Sequence, residues 1–159
     1  MRSIKHIYIH HTASPQTTTV DTIRRWHTSK GWSDVGYHVV IRRGDGGFWL
    51  AEAGRPASIA GAHVKGDNAE SLGVAICGRY HPGDGDDGAP PDAALDLAAE
   101  IVSAWCRDLG LDPLDAVKGH KEFHGAATVC PGDHFDMPDF QARVLRRMDP
   151  SVYPERRGT

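Results

Sequence analysis

The chain has 159 residues, of which 40% are hydrophobic and 25% are charged, so it is long enough for one domain with its own core. The formal net charge of -3 argues against a broad nucleic-acid surface, because phosphate binding depends on clustered Lys and Arg. A neutral polysaccharide or a peptide stays open as the substrate, and no apolar run is long enough to predict a membrane span.

The first half of the chain predicts several strands and one helix. Residues 4–10 form a β-branched and aromatic run that predicts a buried strand. Apolar residues then recur at helical spacing from Val20 to His27, and Lys30-Gly31 is a stop signal. The remaining elements of this half are a strand over 36–42, a Gly-rich hairpin turn over 44–47, a return strand over 48–51 and a central apolar strand over 72–77.

The second half predicts two helices with a short strand between them. Residues 81–91 are dense in Gly, Pro and Asp, which indicates an exposed loop with solvated charges. A long helix opens at Pro91 and ends at Gly110, with one apolar stripe for the core. The other elements are a strand over 116–118, a helix over 138–148 and a mobile tail over 149–159. We therefore expect a single α/β domain over 1–148, with a central mixed sheet flanked by helices.

Three residues far apart in the chain are candidate ligands of one zinc ion. His10 ends the first predicted strand, while His120 and Cys130 follow the last one. Two imidazoles and one thiolate fill three positions of a tetrahedral zinc and leave the fourth for water, which is typical of a catalytic zinc site. The three cysteines lie in separate elements and imply no disulfide framework, so a reducing compartment is the simpler interpretation.

Spacing alone also allows a structural explanation of these residues. The chain has ten histidines, and most histidines of a soluble domain fill half-buried polar positions. His120 and Cys130 lack the tight spacing of a local metal motif, and Cys130 before Pro131-Gly132 could be a buried thiol preceding a turn.

Four ordered motifs resemble those of zinc-dependent N-acetylmuramoyl-L-alanine amidases of the type-2 superfamily, which includes amidase-type phage lysozymes (endolysins) and peptidoglycan recognition proteins. They are IYIHHTAS over 7–14, GWSDVGYHVVI over 31–41, GAHVKGDNAESLGVAICG over 61–78 and GHKEFHGAATVCPGDHF over 119–135. The resemblance extends over nearly the whole chain. It implies an α/β fold with a zinc cleft at the strand ends.

Carried over residue by residue, the resemblance implies that His10, His120 and Cys130 are the zinc ligands and Tyr37 is the catalytic tyrosine. Thr128 occupies a position where many members have an assisting lysine and recognition-protein amidases often have threonine. A neutral hydroxyl at this position could donate to the developing oxyanion, or bond only to its own backbone. For Tyr37 we favour orientation and oxyanion stabilisation over a role as base, because a free tyrosine has a pKa near 10. Tyr37 could otherwise be an ordinary core aromatic.

The resemblance also implies a substrate groove and supporting residues around the metal. His63, Lys65 and Asn68 lie in a glycine-bounded loop that the family places along the groove, although a solvated loop would have the same composition. His11 and His38 are candidate hydrogen-bond partners of the zinc ligands, since a ligating imidazole usually needs its other nitrogen bonded.

The predicted function is hydrolysis of the amide between the lactyl group of N-acetylmuramic acid and L-alanine in peptidoglycan. The compact domain, with no apolar signal segment at residues 1–11, resembles a small endolysin that is made in the cytoplasm and reaches the wall through a holin or on lysis. We expect a monomer that binds zinc and peptidoglycan and does not bind nucleic acid.

Three other functions stay open. One is a cytoplasmic amidase that recycles soluble wall fragments by the same chemistry. Another is a non-catalytic peptidoglycan-binding module, which Cys130 and Tyr37 disfavour because non-catalytic relatives typically lack the cysteine. Polymerase regulation, known for some phage amidases, is disfavoured by the short segment before His10. Separately, five arginines against three acids over 138–159 could form a basic patch for anionic wall polymers.

Overall fold

A computed structural model describes residues 1–151 of the chain. One mixed five-stranded sheet forms its centre, with the strand order β3-β2-β4-β1-β5. The strands are β1 (His6–His11), β2 (Val39–Arg43), β3 (Trp49–Ala53), β4 (Ser71–Ile76) and β5 (Val117–Gly119). The predicted α/β class with a mixed sheet is confirmed. Most of the tail predicted for 149–159 lies outside the described residues.

Four α-helices connect or flank the strands, and their ends follow local capping rules. They are α1 (Val20–Ser29), α2 (Asp92–Leu109), the single-turn α3 (Pro113–Ala116) and α4 (Met137–Met148). The Thr19 hydroxyl accepts from the Thr22 backbone N–H at the start of α1, and Gly110 ends α2 with a φ of 66°. Within residues 1–151, no helix is both long and apolar enough to cross a bilayer.

The pairing of the strands decides where the functional residues meet. β1 runs parallel to both of its neighbours, β4 and β5, and β2 runs parallel to β4. Among the five described strands, only the hairpin of β2 with β3 is antiparallel. The carboxyl ends of β1, β4, β5 and β2 therefore lie at one edge of the sheet, which is where open parallel sheets place their ligands.

Alternation along the strands separates a core face from a polar face. Ile7 and Ile9 of β1 point into the main hydrophobic core, together with Val74 of β4, and α2 and α4 cover this core. Tyr8 and His10 point to the opposite face, on which α1 packs through a smaller cluster with Ile23. The metal cluster is consequently built on the side of the sheet that α2 and α4 leave open.

The first residues of the strand predicted over 36–42 do not join the sheet. β2 begins only at Val39, because the Gly36 backbone N–H donates to His27 Nδ1 at 2.8 Å and the Gly36 carbonyl accepts from Ala62 at 3.0 Å. Tyr37 therefore belongs to a connecting segment and not to a regular strand.

Trp26, one of the residues at helical spacing in α1, lies at the edge of the apolar stripe of this helix and is 44% exposed.

The proposed basic patch is largely neutralised where the structure describes it. Arg143 pairs with three carboxylates, those of Asp92, Asp96 and Asp139, at 2.6 to 2.9 Å. Arg147 also contacts Asp96, at 3.3 Å. These two arginines join α4 to the first turns of α2, so their charge is already compensated by carboxylates, and the hypothesis of a patch for wall polymers stays a prediction. Arg156 and Arg157 lie outside the described residues.

Candidate active site

Two neighbouring parallel strands bring His10 and His120 together. Ile9 of β1 pairs with Gly119, the last residue of β5, so the residues that follow them, His10 on β1 and His120 just after β5, lie side by side. Their ring centroids are 4.8 Å apart. The pairing of β1 with β5 thus brings two histidines that are distant in sequence into contact.

Cys130 completes the cluster from the loop that follows β5. The Lys121 backbone N–H donates to the Cys130 carbonyl at 2.8 Å, which folds this loop back onto the strand end. The Cys130 Sγ lies 3.6 Å from His10 Nδ1, and the three ligand atoms of His10, His120 and Cys130 all lie within 4.8 Å of one another. Zinc bonds of about 2.0 Å to nitrogen and 2.3 Å to sulfur, at tetrahedral angles, separate such atoms by about 3.5 Å. The donor set and its spacing fit a zinc ion.

Burial keeps the imidazoles of this cluster neutral. Desolvation lowers the pKa of His10 well below its ordinary value, and the neighbouring His63 and His120 lower it further. Burial also lowers the pKa of His120. Neutral imidazoles present a lone pair, which is the form that binds a metal.

The thiol of Cys130 is also in a desolvated position. Burial raises its pKa to about 12, although the His11 backbone N–H donates to Sγ at 3.3 Å and opposes that rise. A thiolate at this position needs a compensating positive charge, and a divalent cation bound by the cluster would provide it.

The hydrogen-bond partner of His10 is His63 and not one of the two histidines predicted for this role. His63 Nδ1 lies 3.0 Å from His10 Nε2, and both rings are buried. The His11 ring points to the other side of β1 because successive residues of a strand alternate, and its Nε2 pairs with Asp84 at 2.8 Å. His11 contacts the cluster through its backbone, whose N–H donates to Cys130 Sγ and whose carbonyl accepts from it.

His38 supports the loops around the site and contacts no ligand ring by a hydrogen bond. Its Nδ1 accepts from the Gly73 backbone N–H at 3.0 Å, and its Nε2 donates to the Ile59 carbonyl at 2.9 Å. Its ring meets His63 edge-on, with centroids 5.6 Å apart. The side chain therefore acts one step further from the metal cluster than we expected.

Tyr37 lies beside the cluster as a protonated phenol. Its ring is half-buried and its centroid is 5.1 Å from that of His10. Burial raises its pKa, and the nearby Cys130 and Cys77 raise it further. A phenol that stays protonated at neutral pH can donate a hydrogen bond to a substrate oxygen, whereas a role as base would require the opposite shift.

The hydroxyl of Thr128 is bonded within its own loop. Its Oγ1 accepts from the Cys130 backbone N–H at 3.1 Å, the local turn that serine and threonine commonly form. The hydroxyl proton is not used by this bond and can still be donated. Thr128 thus fixes the loop of Cys130 at a position next to the cluster.

A depression of about 460 Å³ opens beside the cluster, and all three predicted groove residues contribute to its wall. It is lined by His63, Lys65 and Asn68 together with Trp32, Ala62, Gly66 and His120. The Asn68 side-chain oxygen Oδ1 accepts from the backbone N–H groups of His63 and Val64 at 2.8 and 2.9 Å, so Asn68 also shapes the loop. Trp32 is 39% exposed and was not among the residues predicted for the groove, although the Gly-Trp pair that precedes the tyrosine motif is visible in the sequence.

The acidic loop 81–91 is not merely solvated, as its composition suggested. Asp84 pairs with His11 at 2.8 Å and Asp86 with His134 at 3.0 Å, while His81 lies 3.6 Å from Asp133. These contacts join the loop to β1 and to the segment after Cys130. No local sequence signal predicts them, because the partners lie about 50 to 70 residues apart.

Comparison with known proteins identifies the family. A family model described as N-acetylmuramoyl-L-alanine amidase matches residues 1–133. The endolysin of Klebsiella phage KP32 is 47% identical over 74 residues, which cover 45% of this chain and 46% of that protein. The chain thus spans about half the length of the curated relatives that it matches.

Solved structures agree over a larger part of the chain. The N-acetylmuramoyl-L-alanine amidase LysC from Clostridium intestinale is similar with a TM-score of 0.77 and 26% identity, over 91% of this chain and 87% of that one. The Ph2119 endolysin from a Thermus scotoductus bacteriophage gives a TM-score of 0.72 and 25% identity, over 91% and 86% of the two chains. The family model matches residues 1–133, which is most of the sequence, so the chain belongs to the N-acetylmuramoyl-L-alanine amidase family.

Proposed function

We propose that the protein is a zinc-dependent N-acetylmuramoyl-L-alanine amidase that acts as a phage or prophage endolysin. The observation that carries this proposal is the cluster of His10, His120 and Cys130, whose ligand atoms lie within 4.8 Å of one another beside an open groove. The substrate is the amide that joins N-acetylmuramic acid to L-alanine. The similarity to phage endolysins supports this choice among the reactions of the family.

The proposed chemistry divides between the metal and the chain. Zinc, when bound, supplies a Lewis acid that polarises carbonyl groups and makes water more acidic. The phenol of Tyr37 donates a hydrogen bond to the oxygen of the scissile carbonyl, where negative charge develops. The Thr128 hydroxyl is a second neutral donor, and its backbone bond holds it at a fixed distance from Cys130.

The groove is proposed to bind the substrate along one side of the cluster. Lys65 offers a cation for the carboxylates of a stem peptide, and Asn68 offers its amide N–H groups, since its carbonyl oxygen is already used by the loop. His63 is buried against His10 and supports the metal ligand more directly than it contacts a substrate. We assign this catalytic unit to residues 1–148 and propose that it acts as a monomer.

Digestion of purified peptidoglycan tests the reaction. The expected products are free L-alanine amino termini, detected by mass spectrometry, which disappear with a chelator and return with zinc. Replacing Cys130 by Ser should remove zinc binding and cleavage together, while Cys106→Ala, at another buried thiol on the core-facing side of α2, should retain both. New reducing sugar ends would instead identify a glycosidase, and an active chelated enzyme would reject the metal.

Substrate choice separates the endolysin from a recycling amidase. An endolysin should cleave intact sacculi at least as well as soluble anhydro-muropeptides, and it should reach the wall only after a holin or lysis releases it. Preference for the soluble fragments would favour the recycling enzyme. Binding to sacculi without any cleavage would indicate the non-catalytic module.

A further inference from the structure

The imidazole of His63 is confined between two strands and a neighbouring loop. A Cβ on Gly73 would lie 2.8 Å from its Cγ and Nδ1, and a Cβ on Gly61 would lie 2.5 Å from its Cδ2. His63 itself is 7% exposed. The ring is held in one plane, in which Nδ1 faces His10 and Nε2 faces Ser71.

The hydroxyl of Ser71 fixes the direction of the hydrogen bonds through this ring. Ser71 is fully buried, and its Oγ donates to the Asp67 carbonyl at 2.7 Å. A hydroxyl has one proton, so toward His63 Nε2, at 3.4 Å, the same oxygen can only accept. His63 therefore carries its proton on Nε2, and its bare Nδ1 accepts from His10 Nε2–H at 3.0 Å.

The same order of protons leaves the other nitrogen of His10 free for a metal. With its proton on Nε2, His10 presents an unprotonated Nδ1 toward Cys130 Sγ, 3.6 Å away. The reverse order would place a proton on Nδ1, in the centre of the ligand cluster, where it excludes a cation. The tautomer of a ligating imidazole is generally set in this way by the partner of its second nitrogen.

We infer that Ser71 is a positioning residue that sets the tautomer of His63 and, through it, of the metal ligand His10. The inference rests on the proposed metal site and adds a residue that lies outside it. Ser71 is itself held at its other end, because its carbonyl accepts from the Arg2 guanidinium at 3.2 Å. Alanine at position 71 removes the only acceptor that residues 1–151 offer to the buried Nε2–H of His63, so the reverse order of protons becomes competitive.

Two measurements on the purified full chain test this inference. Long-range ¹⁵N–¹H NMR of the metal-free wild-type protein should show both His63 and His10 protonated on Nε2. Zinc affinity, measured by competition with a chromophoric chelator, should fall about 10- to 100-fold in Ser71→Ala, the range found for lost outer partners of metal ligands. Ser71→Thr keeps the hydroxyl and should recover most of the affinity.

Ser103→Ala is the matched control. Ser103 is also buried, and its hydroxyl donates to the Glu100 carbonyl within α2 without reaching a histidine, so zinc affinity should be unchanged. A wild-type His63 protonated on Nδ1, or a Ser71→Ala variant that binds zinc within about threefold of wild type, would overturn the inference. Wild-type protein that binds no zinc would reject the proposed function instead, and the NMR tautomers would still decide the role of Ser71.

Discussion

Replacing Gly73 by Ala tests whether the seat of His63 controls the metal site. The new methyl would lie 2.8 Å from Cγ and Nδ1 of His63, and ordinary contact between such atoms begins near 3.4 Å. The ring must therefore retreat by about 0.6 Å. Because one clashing atom, Nδ1, is the acceptor of the 3.0 Å hydrogen bond from His10, a shift of that size perturbs the bond, and along the bond axis it would lengthen it to about 3.6 Å, at which it no longer counts as one.

The expected result is a fall in zinc affinity of about 10- to 100-fold, equivalent to about 1.4 to 2.8 kcal/mol. Overpacking of a buried site also lowers the free energy of unfolding by about 1 to 3 kcal/mol. Chelator competition measures the first quantity and urea denaturation of the metal-free protein measures the second.

A second glycine separates general destabilisation from the effect on the site. Gly88 has a φ of 71° and no neighbour within 4 Å of an added Cβ, so Gly88→Ala strains the backbone without touching the cluster. It should lower stability and leave zinc affinity unchanged. If Gly73→Ala loses stability but binds zinc as tightly as Gly88→Ala, then the position of His63 does not control the site.

Three other predictions follow from the described contacts. Tyr37→Phe should retain zinc affinity within about threefold and lower kcat by about 10²- to 10³-fold, since the variant loses only a hydrogen-bond donor to the oxyanion. A comparable fall in zinc affinity would contradict this role. Arg143→Met should lower the free energy of unfolding by about 1 to 2 kcal/mol at low salt and by less in 1 M NaCl, because three partly exposed carboxylates lose their shared partner. If thermal unfolding shows the same loss at both salt concentrations, the contribution of Arg143 comes from packing instead. Burial lowers the pKa of His27, whose Nδ1 accepts from the Gly36 backbone N–H, so the folded metal-free protein binds fewer protons than the unfolded chain. The stabilisation from His27 is therefore complete above the unfolded pKa of about 6.5, and the free energy of unfolding should fall as the pH drops below that value. The urea midpoint between pH 7.5 and 5.5 measures this fall, which His27→Asn should reduce.

The sequence by itself determined the kinds of residue available for the site and the elements that carry them. Alternating and helical periodicities placed the strands and helices to within a few residues, as with α2, whose end at Gly110 is a local capping signal. The order of four motifs pointed to the family and to the three ligand candidates. These patterns are local, because each depends only on residues within one short stretch of the chain.

Only the tertiary structure decided which side chains serve the metal cluster and how. The partner of His10 depends on how β1 and β4 pair, which brings His63 and Ser71 next to the ligand, and packing of the loop over 81–91 gives the His11 ring its partner Asp84 on the other face. Likewise the arginines of α4 look like a free basic patch until α2 packs beside them. Contacts across 50 or more residues are set by packing and strand pairing, and no short segment of sequence encodes them.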